Sequence, residues 1–121
     1  MNDITIARSI AWGRIGFGLL MLVAPNSVLA RTAEERPGPL VWMARAFGIR
    51  DLVLGAGAVA SLAAPEPDPS WVKMGALADS CDAVAALVWR DELGPSGVAA
   101  TLALALPAAT GGWKAARSLA R

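Results

Sequence analysis

The stretch Ala44–Gly57, ARAFGIRDLVLGAG, decides how this chain is read. It lies inside an apolar run long enough to cross a bilayer, yet it carries the adjacent charges Arg50 and Asp51. Charge at that depth is costly and is seldom left unpaired. Partners are therefore sought on the other apolar runs. Arg14 lies in the first run, and Asp79 and Asp82 lie in the third. The expectation is an all-α protein, a four-transmembrane-helix bundle organised around these polar groups.

Composition sets the outer bounds. The chain has 121 residues, 55% of them apolar and 17% charged, against about 25% charged in ordinary soluble domains. Much of the apolar content is Ala and Gly, the residues that let helices approach closely in lipid. An alanine-rich soluble bundle is the competing reading. A net charge of +1 gives no electrostatic footprint for nucleic acid. Histidine is absent, which removes the usual general base near neutral pH and the commonest metal ligand. The single cysteine, Cys81, excludes an internal disulfide. Only Asp79, Cys81 and Asp82 cluster as metal-ligand types, and their spacing matches no metal motif, so neither metal nor cofactor is expected. No Ser-His, Cys-His or phosphate-loop pattern points to an enzyme.

Outward from the opening stretch, four helices are expected at about residues 4–24, 40–63, 71–89 and 96–113. Pro25-Asn26-Ser27 stops the first. That run also reads, less well, as a signal peptide with Arg8 and Arg14 ahead of an apolar core. A polar connection follows at 26–39, in which Thr32-Ala33-Glu34-Glu35 is a weak candidate for a short interfacial helix. Alternating prolines at 65, 67 and 69 stiffen the next link, with Ser70 as the N-cap of the third helix. Gly94 ends the turn after the third helix and Pro95 starts the fourth. Pro107 should kink the fourth, with Thr101 and Thr110 positioned to satisfy freed backbone groups. Residues Lys114 to Arg121 read as a basic tail.

Tryptophan placement supports spanning helices. Trp42 and Trp89 fall at one face, Trp71 and Trp113 at the opposite one, as in an aromatic belt. Trp12 fits the belt less well. The face holding both termini carries Arg8, Lys73, Lys114, Arg117 and Arg121, and the other carries Arg31, Arg36, Arg45 and Arg90. The positive-inside rule then places both termini in the cytoplasm, in a multi-pass protein of the cell (inner) membrane.

Depth can be counted from the Trp42/Trp89 face at about 1.5 Å per residue. Arg50 lies about 12 Å deep and Asp82 about 10 Å, while Arg14 and Asp79 both lie near 15 Å, roughly the bilayer midplane. The level-matched pairs are Arg50 with Asp82 and Arg14 with Asp79. Asp51 sits between the two levels and is free to join either. Arg45 is shallow and peripheral, able to snorkel. Asp79 and Asp82 share a helical face with Gly75 and Ala86, and Arg14 shares one with Gly18. Three carboxylates against two guanidiniums leave one positive charge short, so one acid is either protonated or reaches Arg45. Cys81 beside this face reads as a small buried packing residue.

The pattern Ala44-Arg45, Gly48-Ile49-Arg50-Asp51, Leu54-Gly55, followed by Asp79 and Asp82, resembles a family of small bacterial membrane proteins. They are common in actinomycetes, have about four helices and are classed as a domain of unknown function. The resemblance covers most of the chain, its G-I-R-D segment being the specific part. It implies a topology and no activity. Two functions are open on these residues. One is a non-enzymatic membrane protein, an oligomeric or accessory subunit, whose Gly/Ala faces pack on a second copy or a larger membrane complex and whose Arg/Asp network fixes helix register. The other is a small proton- or ion-coupled transporter or channel that uses the same groups.

Overall fold

The computed structural model describes residues 2–120. Five helices follow in order: α1 (Asp3–Val23), α2 (Pro25–Leu29), α3 (Gly38–Leu62), α4 (Ser70–Val88) and α5 (Arg90–Leu119). The Asn2 side chain caps α1 by accepting from the Thr5 amide at 2.8 Å, which satisfies one of the helix's orphan donors. Proline then sets the punctuation. Pro25 cannot extend α1 and instead opens α2, where its missing N–H costs nothing. The weak helix candidate at Thr32–Glu35 does not form, and that connection is turn and irregular chain, in keeping with the solvated loop that is the stronger reading of those residues. Helix forms earlier, at Pro25–Leu29, where proline pre-sets the first turn.

The start of α4 also differs from expectation. Ser70 is its first helical residue rather than the cap. Asp68 accepts from the Ser70 amide at 2.9 Å and from its hydroxyl at 2.7 Å. Asp68 stands two residues ahead of Ser70, so its carboxylate folds forward onto the start of the helix as in an Asx-turn. At the far end of α4, Gly94 adopts φ +81°, a left-handed conformation suited to glycine, and breaks α5 after its first turn. Pro95 restarts it. Pro107 sits within unbroken helical backbone, and Gly94 carries the non-helical dihedrals instead. Thr110 bonds its own i−4 carbonyl, Leu106, at 2.8 Å, whereas the carbonyl freed by Pro107 belongs to Ala103. The residues read as a basic tail are helical to Leu119, with Ala115 and Ala116 fully buried. Their methyl groups continue the same apolar seam, so the helix has no reason to stop at Trp113.

The long helices pack as two close pairs, α1 on α3 and α4 on α5, joined by sparser α1–α5 and α3–α4 contacts. Buried positions on α1 are 7, 11, 14, 18 and 21, and on α3 they are 44, 48, 51, 55, 58 and 62. This alternation of three and four is a coiled-coil-like seam, with Ala and Gly in place of Leu. A Cβ added to Gly18 would lie 2.5 Å from the Gly48 carbonyl oxygen, and one added to Gly48 would lie 2.6 Å from the Gly18 oxygen. Only glycine at both positions permits that backbone approach. Where the pairs meet, Ala7, Ala11, Ala58, Leu62, Val72, Ala115 and Ala116 close one end of the bundle.

Outside this thin interior the large apolar side chains face outward. Trp12, Val23, Trp42, Met43, Val84 and Trp89 are all at least 57% exposed. Trp113 departs from the expected belt. Its indole N–H donates to Ser80 Oγ at 3.0 Å, well inside α4. Because α5 extends past it, Trp113 is not at a helix end. Two helices, α1 and α5, are long and apolar enough to cross a membrane. α3 and α4 are not apolar enough: every 18-residue stretch of each carries three charges, Arg45, Arg50 and Asp51 or Lys73, Asp79 and Asp82.

Two outcomes test this packing. Gly48→Val drives a side chain into backbone and should cost at least about 3 kcal/mol, the upper end of ordinary overpacking. Gly13→Ala, with open space around the added carbon, should not lower the melting temperature in mild detergent and should raise it slightly, because alanine is the better helix former. The hydrogen bonds from Ser70 hold the Asp68 carboxyl below its ordinary 3.8. The Asp68 contribution is therefore present above that value and lost as pH falls through the lower folded value. The Ser70 amide resonance should titrate with a midpoint below 3.8, and Asp68→Asn should abolish the titration.

Candidate functional site: an Arg/Asp cluster at the floor of a cleft

The seam positions that are not Ala, Gly or a large aliphatic are Arg14 on α1 and Asp51 on α3. Together with Asp79 of α4 they are the buried charged residues among those described, at 8%, 5% and 5% exposure. Arg14 reaches across the bundle from α1 to α4, which otherwise barely touch. One nitrogen, Nη1, donates to Asp51 Oδ1 at 3.3 Å, and Nη2 donates to Asp79 Oδ2. Gly75 makes this reach possible, since a Cβ there would sit 2.9 Å from Arg14 Nη2. The i, i+4 spacing of Gly75 and Asp79 puts the notch and the acceptor on one face of α4.

One helical turn nearer the Trp42/Trp89 end, Arg50 and Asp82 form a parallel two-bond fork. Nη1 donates to Oδ1 at 3.1 Å and Nη2 to Oδ2 at 2.7 Å, the strong bidentate arrangement for this ion pair. The Arg50 guanidinium also stands over the Phe47 ring, 4.1 Å from its centroid, within cation–π range. Its Nε is the one buried side-chain nitrogen or oxygen without a partner among the described residues.

Asp51 is settled between the levels. Its Oδ1 lies 3.3 Å from Arg14 Nη1 and 3.5 Å from Arg50 Nη2, so it bridges the two arginines. Arg45 takes no part. It donates to the Leu22 carbonyl at 2.6 Å, supplying from α3 the cation that the last turn of α1 lacks. Arg8 donates likewise to the Leu62 carbonyl near the end of α3, at 3.3 Å. Cys81 is exposed rather than buried. Two residues past Asp79 is about 200° around a helix, which turns it away from the cluster. Asp79, Cys81 and Asp82 accordingly do not form a group that could hold a metal ion, among the described residues.

Sequence reasoning did not foresee the space beside these pairs. Between the α1/α3 pair and the α4/α5 pair lies an open cleft of about 1030 Å³. It runs from the end with α2 and Trp89 down to the ion pairs, and the alanine core closes the other end. Its walls include Phe17, Met21, Phe47 and Leu104, and its floor is Arg14, Asp51, Asp79 and Asp82. Phe17 and Phe47 meet edge to face, ring centroids 6.4 Å apart. One phenylalanine on each of two helices that also carry buried charge, Phe17 and Phe47, was the one available signal. On the far side of Arg14 a void of about 10 Å³, lined by Gly75, Ala76 and Trp71, is no larger than one water. Chemically, the floor can hold ions and relay protons between carboxylates, and the walls can hold apolar matter. No family model, characterised protein or solved structure matches this chain.

The two arginines should differ when removed. Arg14→Gln leaves Asp51 and Asp79 buried and facing each other, and should cost about 3–5 kcal/mol of unfolding free energy. Arg50→Gln affects a half-buried pair and should cost about 1–3 kcal/mol. The swap Arg50→Asp with Asp82→Arg should recover most of the loss seen in either single reversal, by denaturation in mild detergent.

Proposed function

We propose that this chain is a small non-enzymatic integral membrane protein, crossing the cell (inner) membrane four times, in which the Arg/Asp cluster holds two helix pairs in register. One observation carries the reading: polarity is inverted. Charge is buried at Arg14, Asp51 and Asp79, while Trp, Leu, Met and Val crowd the outside. In water such an exterior is an aggregation surface. In lipid it is the favoured one, and small residues and inward charges are what remain for helix contacts. Of the spanning-length stretches in α1 and α5, only 28% and 11% is buried, which argues against core helices of a soluble bundle. α3 and α4 hold Arg50, Asp51, Asp79 and Asp82 in ion pairs with α1 and with each other, while Arg45 and Lys73 are exposed in the first half of their helices. At about 37 Å and 28 Å both have the length to span.

The tally of basic residues favours cytoplasmic termini. The glycines offered for partners are occupied inside the chain at 18, 48, 55, 57, 75 and 112. Assembly into a homo-oligomer or a larger membrane complex would therefore use the Leu, Val and Trp exterior. The G-I-R-D segment supports kinship with the small actinomycete-type family. Ion-coupled transport is the second reading, favoured by three carboxylates at the floor of an open cleft.

The single cysteine gives a direct test. Cys81 is exposed halfway along α4. In intact membranes it should resist a membrane-impermeant maleimide, and it should label fully once the protein is denatured. Rapid labelling in membranes, or extraction into buffer without detergent, would sink the four-span reading. For the second reading, proteoliposomes should show a proton or cation flux that Asp79→Asn abolishes. A folded protein with no flux leaves the network purely structural.

A further inference from the structure

We propose that the cleft is a binding site for a monovalent organic cation with an apolar body, its charge seated among Asp51, Asp79 and Asp82. The inference rests on the membrane reading and deepens it, because a ligand of this class partitions into the bilayer that the cleft faces.

Charge selects the ligand. The cleft surface presents four carboxylates, Asp51, Asp79 and Asp82 at the floor and Glu92 beside Trp89, and one guanidinium, Arg14. Arg50 neutralises Asp82 from behind, against Phe47, and is not part of the lining. Even with Arg50 included, three acids against two bases leave the cluster at −1. The buried carboxylates are also incompletely used. The bonds from Arg14 engage Asp51 Oδ1 and Asp79 Oδ2, and among the described residues no donor meets Asp51 Oδ2 or Asp79 Oδ1. Those two oxygens are absent from the sealed unpaired atoms, so they border accessible space. An anion in the cleft would meet uncompensated acids. A neutral molecule would displace water from them and leave the surplus charge unpaired in a low dielectric, which is expensive. A single positive charge removes the imbalance.

Size and wall chemistry fix the rest of the ligand. A volume of about 1030 Å³ is at the upper end of small-molecule sites. The wall aromatics Phe17 and Phe47 suit an organic cation, whose charge is attracted to ring faces. A hydrated metal ion would leave these walls unfilled.

Tetraphenylphosphonium is a suitable probe and tetraphenylborate its control, being nearly the same shape with the opposite charge. Both are titrated into the purified full chain in mild detergent by equilibrium dialysis. The phosphonium should bind saturably at up to one per chain, and the borate at least ten-fold more weakly. Asp79→Asn should weaken phosphonium binding ten-fold or more. Because that variant disturbs Arg14, Gly13→Trp provides a second arm. Gly13 lines the cleft with open space around it, so an indole there should block binding while the melting temperature stays within a few degrees. Equal binding of both probes, or binding that survives Gly13→Trp, would show a merely greasy groove and overturn the proposal. No binding to a monodisperse protein that needs detergent would overturn the cation site alone. A protein soluble without detergent would overturn the membrane reading beneath it.

Discussion

One guanidinium joins the two halves of this molecule. Arg14 projects from the α1/α3 pair across the bundle to Asp79 on the α4/α5 pair, and takes Asp51 on the way. Within each pair, helices are held by close backbone contact. Between pairs, the backbone contacts are sparse, and the alanine core covers only one end. The ion pairs lie where that core gives out. They therefore act as the hinge pin of a wedge, and the angle of the wedge is what makes the cleft.

The seam explains why charge can be tolerated there. Ala and Gly at most buried positions bring α1 and α3 so close that little dispersion surface is left to specify register. A seam of identical small residues could slip by a turn at small cost. Arg14 and Asp51 each occupy a position in that same repeat, and a slip would part them. Buried pairs rarely stabilise relative to apolar replacements, and setting register is the best-attested use of them. The Gly75 notch makes the same point from α4, since it admits the arginine at one level only.

Much of this was legible before any coordinates. Helical rise is nearly invariant, so counting residues from the tryptophan-bearing turn placed Arg50 level with Asp82 and Arg14 level with Asp79. Prolines at 25, 65, 67, 69 and 95 and the glycine at 94 marked where helices cannot continue. Angular position was harder. Asp51 follows Arg50 by about 100° around α3, enough for Arg50 to face α4 while Asp51 faces the α1 seam. The same rotation turns Cys81 outward, a reading open to the sequence. Trp113 was misplaced because an indole near a run of basic residues resembles a membrane interface, whereas Ala115 and Ala116 are small enough for α5 to keep packing. The cleft had no sequence signature beyond Phe17 and Phe47 on helices that also carry buried charge. Splay between helix pairs depends on where small residues stop matching across the bundle, a relation among four segments that no single segment displays.

The placement of the surplus acid gives the last argument. A cluster serving only to set register would be most stable if it were neutral and dry, with each carboxylate enclosed by donors. Here the number of acids exceeds the number of arginines by one, and two buried carboxylates keep an oxygen toward open space. Arg45 lies near enough in sequence to have balanced the charge, yet it is committed to the end of α1. Arg50 lends its charge to Asp82 from outside the cleft wall. The guanidiniums are thus arranged to hold the helices while leaving the acids turned to the cavity. A purely mechanical role leaves that asymmetry without a reason, and a positively charged occupant supplies one.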